Sequence, residues 1–387
     1  MKKDWTYKKL GEVCSSDLGK TLNSKTDNGE YYPYLCAINV LWDRIDTTVL
    51  KTAKFEPSEL ERYSVKKGDL LVCEGGDVGR AAIWNDETVI QYQNALHRIR
   101  FKGEVIPRFC LFYLRHLKDN GTLDAKYAKG VTIKHLVKSS LLSIPIPIPP
   151  IKEQEEICSL LDKLSLVIEK KKQQIKELDN LAQAIFYDMF GDPIANTKGW
   201  VISTIDNIST DKLSYGSGAS AIEYDGQTRY VRITDINDLG DLNEDIKSPS
   251  EIDEKYLLRE GDILFARSGA TVGKTYCHRE KNGRCIYAGY LIKMRPDKSK
   301  VMPKYVFYYT KSEYYKAFIK NAQNAVAQPN INAKQYGGLA IPVPPLSLQQ
   351  SFAQKIESIE RQKELINQSI REAQTLFNSR MEYYFGE

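Results

Sequence analysis

The sequence predicts an α+β protein in which two globular domains alternate with two long helices that pair as an antiparallel coiled coil. Three observations carry this. First, the chain is written twice. "GDLLVCEGGDVGR" (Gly68 to Arg80) aligns with "GDILFARSGATVGK" (Gly261 to Lys274) at an offset of 193, rising to 194 after one inserted residue. "IPIPPIKEQEEI" aligns with "IPVPPLSLQQSF" at 195, as do Trp5 with Trp200 and Phe190-Gly191 with Phe385-Gly386. Second, each half divides at a proline block, Ile146 to Pro150 and Ile341 to Pro345. Third, each block is followed by a 4-3-4-3 apolar stripe without proline or glycine. The boundaries are 1–150, 151–190, 191–345 and 346–387, arranged as an internal pseudo-two-fold repeat.

Each element follows from local pattern. "GDLLVCEGG", "RAAIW" and "NALHRIRF" read as short strands, as do "YVRITDI", "GDILFARSG" and "GYLIKMRP" in the second half. "PRFCLFYLRHLKDNG" and "PKYVFYYTKSEYYKAFIKNA" read as matching helices, each opened by proline. The proline blocks fix an extended backbone and lack N–H donors, so they end each domain. Beyond the first lie Ile157, Leu161, Leu164, Ile168, Ile175, Leu178 and Ile185, with Lys171 as the polar break. Beyond the second lie Phe352, Ile356, Ile359, Ile366, Ile370 and Phe377, broken by Lys363 and Arg380. Glu153, Glu155 and Glu156 suit a helix N-terminus, and Ser347 with Gln350 forms a capping-box pattern. A helix of about 37 residues is roughly 55 Å long. Alone it cannot bury such a stripe, but two copies can bury it against each other, placing the domains at opposite ends.

Composition excludes several classes. At 42% hydrophobic and 27% charged, the chain is an ordinary soluble protein. It shows no secretory leader, and its longest apolar run is short and proline-rich, so a cytoplasmic, non-membrane protein is expected. Seven scattered cysteines suggest reduced thiols, and Cys277, His278 and Cys285 lack a fourth metal ligand at usable spacing. No metal site, no resident cofactor and no catalytic set is expected. The tempting exception is "SGATVGKT". A phosphate-binding loop needs four residues between its glycines, yet Gly269 and Gly273 enclose three. The sister copy has Arg80-Ala81 where Lys274-Thr275 stands, and both continue as strand.

Charge points to a polyanion. Residues 191–260 carry net −7, while residues 261–345 carry net +10, beginning at the glycine loop. DNA is the natural partner for such a face. Arginine and lysine can read guanine, and asparagine and glutamine can read adenine. The candidates are Arg80, Gln91, Gln93, Asn94, Lys129 and Lys134 in the first domain. In the second they are Arg267, Lys274, Gln328, Asn330, Asn332 and Lys334. Arg80 and Lys274, alike in both copies, suit phosphate anchoring as well as base reading. The competing reading is a coiled-coil protein scaffold without sequence-specific DNA binding.

The layout resembles the specificity (S) subunit of type I restriction–modification systems over essentially the whole chain. The matching residues are Trp5 with Leu10-Gly11-Glu12-Val13, the two Gly-Asp segments, and the two Ile-Pro-x-Pro-Pro blocks followed by Gln154 and Gln349. "STIDNIS" and Leu348 depart from the pattern in the second copy. The resemblance implies two target-recognition domains, each reading one half of a bipartite double-stranded DNA site. The helices would set the half-site spacing and dock two methyltransferase subunits, which carry S-adenosylmethionine and methylate adenine. Motor-nuclease subunits would add ATP and Mg. The S subunit itself would hold no active site. Each domain also resembles the recognition domain of adenine-N6 DNA methyltransferases.

Overall fold

The computed structural model describes residues 5–23, 28–130, 134–324 and 330–386. Its contacts divide it into two units, Met1–Lys171 with Ser369–Glu387, and Lys172–Gln368. The long helices, Ile151–Phe190 and Leu346–Phe385, each contribute one part to each unit. This division cuts the chain differently from the four sequence segments, because packing rather than chain order defines it.

In the first unit, a four-stranded sheet has the order Cys14–Leu18, Leu96–Phe101, Leu70–Cys73, Ala81–Ile83, antiparallel throughout. All four residues of Leu70–Cys73 are buried, because both faces of the strand are covered. Leu70 and Val72 pack toward the helix Pro107–Asp119, while Leu71 and Cys73 pack toward a second layer with Val65, Ile90 and Tyr92. That layer is a sheet in which Ile90–Tyr92 lies parallel to Glu30–Leu35. Thr6–Lys9 pairs with the proline block Pro145–Ile148, as an edge strand can.

The second unit repeats this plan. The order is Ser214–Tyr215, Leu291–Met294, Ile263–Ala266, Thr275–Cys277. Ile263 and Phe265 face one core, Leu264 and Ala266 the other. Thr228–Val231 lies parallel to Arg284–Tyr287, and Val201–Thr204 pairs with Ala340–Val343. Cys277 and Cys285 pack on opposite sides of this sheet, and the described residues contain no metal-ligand cluster.

Two local expectations are corrected. The helix expected over 303–322 is broken into Pro303–Tyr309 and Glu313–Asn324. Thr310 Oγ1 bonds the Phe307 carbonyl at 2.7 Å and Thr275 Oγ1 at 2.7 Å, and Ser312 Oγ accepts from Tyr315 N. These hydroxyls satisfy backbone groups outside a helix and restart it. Ser347 is also not a cap: the helix starts one residue earlier, with the Pro345 carbonyl accepting from Leu348 and Gln349.

The helix stripes are buried mainly near their ends. In the first unit Ile157, Leu161, Ile168 and Phe377 are buried, with Leu164 and Ile370 beside them. Here the start of the first long helix lies against the end of the second, and Pro107–Asp119 packs on both. Phe385 meets Phe109 at 5.3 Å, and Phe377 meets Phe112 at 6.3 Å. In the second unit Phe352, Ile356 and Ile359 are buried, with Leu178 and Ile185 beside them. Phe186, absent from the stripe, stacks on Tyr305 at 5.7 Å and meets Phe352 at 5.8 Å. Ile175 and Ile366 are only half-buried. The contact is thus wider at the ends than an a/d seam, because each end also closes a domain core. Lys363, a break in the stripe, bonds Asp179 of the other helix at 2.6 Å.

A buried glutamine joins each domain to its helix. Gln154 Nε2 donates to the Pro149 and Glu104 carbonyls at 2.9 and 2.8 Å, and its Oε1 accepts from Ile106 N at 2.9 Å. Gln349 repeats this with Pro344 at 2.8 Å, Lys300 at 3.3 Å and Met302 N at 2.8 Å. Both are fully buried. Cations in the first turn of the proline-started helices add ion pairs: Arg108 with Asp162, and Lys304 with Glu360.

Candidate nucleic-acid interface

The Gly-Asp motif is structural. Gly68 and Gly261 both have φ of 89°, which favours glycine. Asp69 and Asp262 are buried and take both oxygens to an arginine, Arg100 at 2.7 and 2.8 Å, Arg295 at 2.8 and 2.9 Å. Each also accepts a backbone N–H from three residues upstream. Buried carboxylates need such complete pairing.

The glycine loop that follows is a hairpin, not a nucleotide loop. Ala266 N donates to the Lys274 carbonyl and Gly273 N to the Ala266 carbonyl; Cys73, Arg80 and Gly79 repeat the pattern. The chain then continues as strand, Thr275–Cys277 or Ala81–Ile83. A Cβ on Gly273 would meet Ile319 at 2.8 Å, and one on Gly79 would meet Leu123 at 2.7 Å. The closing cations turn to the protein: Arg80 donates to the Ala37 carbonyl at 2.6 Å, and Lys274 pairs with Asp238 at 2.9 Å.

The other candidates separate. Gln91 is buried within its sheet, its amide placed to donate to the Leu60 and Tyr63 carbonyls. It is a packing residue in this conformation, a correction to its expected place on the surface. Alternation with Ile90 and Tyr92 would put Gln91 outside, but both faces of this strand are covered. Gln93 and Asn94 are half-buried at the turn into Leu96–Phe101. Lys129 and Lys134 are exposed near each other, since Lys129 and His135 pair across a narrow antiparallel bridge. Gln328 lies outside the described residues. Asn332 caps the helix Ala333–Gly337 by accepting from Gln335 N, and Lys334 on that helix is exposed.

Arg267 and Asn330 come together. Ser268 and Asn330 form a bridge, and Ile331 N donates to the Arg267 carbonyl at 2.8 Å. The Arg267 guanidinium lies over the Tyr215 ring at 4.7 Å, and its Nε donates to Asn330 Oδ1 at 3.2 Å. Tyr215 Oη in turn accepts from Ala333 N at 3.0 Å. Tyr290, whose carbonyl accepts from Arg267 N, is 63% exposed.

The first domain has this same frame with other side chains. Glu74 N donates to the Ala95 carbonyl, as Arg267 N does to that of Tyr290, and Leu136 N donates to the Glu74 carbonyl. Gly75 bridges His135 as Ser268 bridges Asn330. Gly19 and Gly216 mark the neighbouring strand, each so close to a carbonyl, of Tyr92 or Ala288, that a Cβ would lie 2.3 Å from it. Leu18, Glu74, Ala95 and His135 therefore stand where Tyr215, Arg267, Tyr290 and Asn330 stand. Only Arg267 and Asn330 were singled out from sequence. The signal for the others lies in the repeat, once strand pairing fixes its gaps.

Pairing also narrows the basic face. Lys274, Arg279, Lys281, Arg284, Arg295, Lys304 and Lys316 are all in ion pairs. Lys293 is buried against Tyr287. Burial pushes the Lys311 ammonium down to about 8. Neither Lys293 nor Lys311 has an ion pair among the described residues, and nor do Arg267, Lys320 and Lys334. The net +10 of this stretch is largely answered by its own acidic neighbours.

Comparison with known proteins matches this doubled frame. Residues 2–180 and 197–375 each match the type I restriction modification DNA specificity domain. The chain is 23% identical over 378 residues to the type I restriction enzyme MjaVIII specificity subunit of Methanocaldococcus jannaschii, covering 92% of this chain and 86% of that one. The type I restriction enzyme EcoBI specificity subunit of Escherichia coli is also 23% identical, over 82% of this chain and 72% of its own. The fold is similar to the crystal structure of a type I restriction–modification S subunit from M. genitalium, with a TM-score of 0.60 and 15% identity over 99% of this chain and 96% of that one. No described helix is long and apolar enough to cross a membrane. With its specificity domain present twice and covering most of its length, the chain belongs to the type I restriction–modification DNA specificity family.

Proposed function

We propose that this chain is the DNA-recognition subunit of a type I restriction–modification complex, each domain reading one half of a bipartite duplex site. The supporting observation is the doubled specificity domain, with one frame and two different sets of half-buried and exposed side chains. A two-part asymmetric site calls for this: the same docking geometry twice, with different base contacts. Readers on one face of B-DNA sit about one helical turn apart, roughly 34 Å, or at multiples of it. The long helices set that distance, and they and their flanks dock two methyltransferase subunits. The chemistry belongs to those partners: S-adenosylmethionine on the methyltransferases, ATP with Mg on the motor-nuclease subunits. This chain selects the sequence on which they act in the cytoplasm.

The test is selection from random duplexes by the chain assembled with its methyltransferase. A two-part motif is the expected result. A protein scaffold without DNA reading gives no motif. Removing one heptad from 157–189 and its partner heptad from 352–384 should alter the spacer alone. Replacing residues 1–145 by another recognition domain should alter one half-site alone.

A further inference from the structure

We propose that Arg267 and Glu74, which occupy one position in the two copies, are specificity-determining residues: Arg267 reads a guanine in one half-site and Glu74 a cytosine in the other. The proposal rests on the DNA-reading function above and adds the residue and the base to it.

Arg267 is held as a reading arginine should be. Tyr215 supports the guanidinium plane from one side at 4.7 Å, and Asn330 takes Nε at 3.2 Å. Both terminal nitrogens remain without a hydrogen bond among the described residues. That leaves a fork whose direction is already fixed, and its two parallel N–H groups match guanine O6 and N7. Fixing the fork before binding lowers the entropy lost on contact. The support is itself anchored, since Tyr215 Oη is held by Ala333 N.

Glu74 argues against a phosphate role for this position. Its backbone makes the same two bonds as that of Arg267, so its side chain leaves the sheet at the same place. Its carboxylate is half-buried and has no hydrogen bond or ion pair among the described residues. A carboxylate is repelled by a DNA phosphate, yet it accepts well from the cytosine N4 amino group in the major groove. One position carrying opposite charges in two copies of one frame is what base reading allows and backbone anchoring does not. The surroundings change with it: Tyr215, Tyr290 and Asn330 give way to Leu18, Ala95 and His135.

The experiment uses the full chain assembled with its methyltransferase subunits, and reads the methylated motif by sequencing modified DNA. Wild type defines the motif. Arg267→Ala should relax one guanine position in one half-site, with about tenfold or greater loss of discrimination there. Arg267→Lys keeps the charge but loses the fork, so it should relax the same position. Glu74→Gln should relax a cytosine position in the other half-site. Unchanged thermal unfolding of these variants at half-buried positions separates reading from folding. If Arg267→Ala lowers methylation of all sites evenly and leaves the motif intact, the residue positions the backbone and the proposal is overturned. If Arg267→Lys behaves as wild type, the fork is not used and the proposal also falls. If wild type itself yields no two-part motif, the underlying function fails instead.

Discussion

Gln154 and Gln349 make the same three hydrogen bonds in their two domains, whereas Glu74 and Arg267 carry opposite charges on one shared frame. The first pair lies where a domain meets its long helix, and the second lies at the loop end of the central sheet. Both pairs are polar. The difference is in what surrounds them. A buried glutamine with every polar atom matched has no freedom to vary, because each replacement strands a backbone group. A half-exposed side chain on a hairpin can vary without disturbing the hairpin. Duplication has thus separated a docking end, fixed by hydrogen-bond accounting, from a reading end, fixed only in its backbone.

That division can be broken in graded ways. The largest effect is expected from Asp262→Ala, which strands the Arg259 N–H and leaves Arg295 only its longer contact with Asp211. Breaking a buried pair of this kind costs about 3 kcal/mol or more, and denaturant unfolding should show it. A cost under about 1 kcal/mol would remove the Gly-Asp motif from the frame. Gln349→Ala should cost about 2–3 kcal/mol by leaving Met302 N and the Pro344 carbonyl unmatched. Gln154→Ala should match it in the first domain, and a large disparity would deny that the clamps are equivalent. Gly273→Ala comes next, at about 1–3 kcal/mol, since alanine must adopt φ of 87° and push Ile319 aside. Smallest is Arg284→Ala. Its pair with Glu254 is solvent-exposed, so stability should move by no more than about 0.5 kcal/mol.

Much of this was legible in the sequence. The repeat gave the domain plan, because each half must build the same core from the same strands. The proline blocks end where the two long helices, Ile151–Phe190 and Leu346–Phe385, begin. The reading end was less legible. Gln91 looked like a surface residue because it alternates with Ile90 and Tyr92, but the strand is buried on both faces, which alternation does not reveal. Lys274 looked like a free cation, though Asp238, 36 residues earlier, is its partner. Glu74 gives no signal of DNA contact in the sequence, because an acidic residue does not suggest DNA. Phe186 escaped the stripe because it packs on a domain helix as well as on the other long helix. Each miss concerns a pairing between distant segments, which local periodicity does not record.

The first unit includes residues 369–387, with Phe377, Met381 and Phe385 buried in its core. The second unit, 172–368, is continuous in the chain. During synthesis, then, the domain made first is the one completed last. Until its final strip of helix emerges, Phe109 lacks Phe385 and Phe112 lacks Phe377, and that apolar surface stays open. The second unit has all its residues earlier and can close without waiting. Order of manufacture and order of maturation run opposite ways, and a ribosome that stops near residue 368 leaves the older domain unsealed.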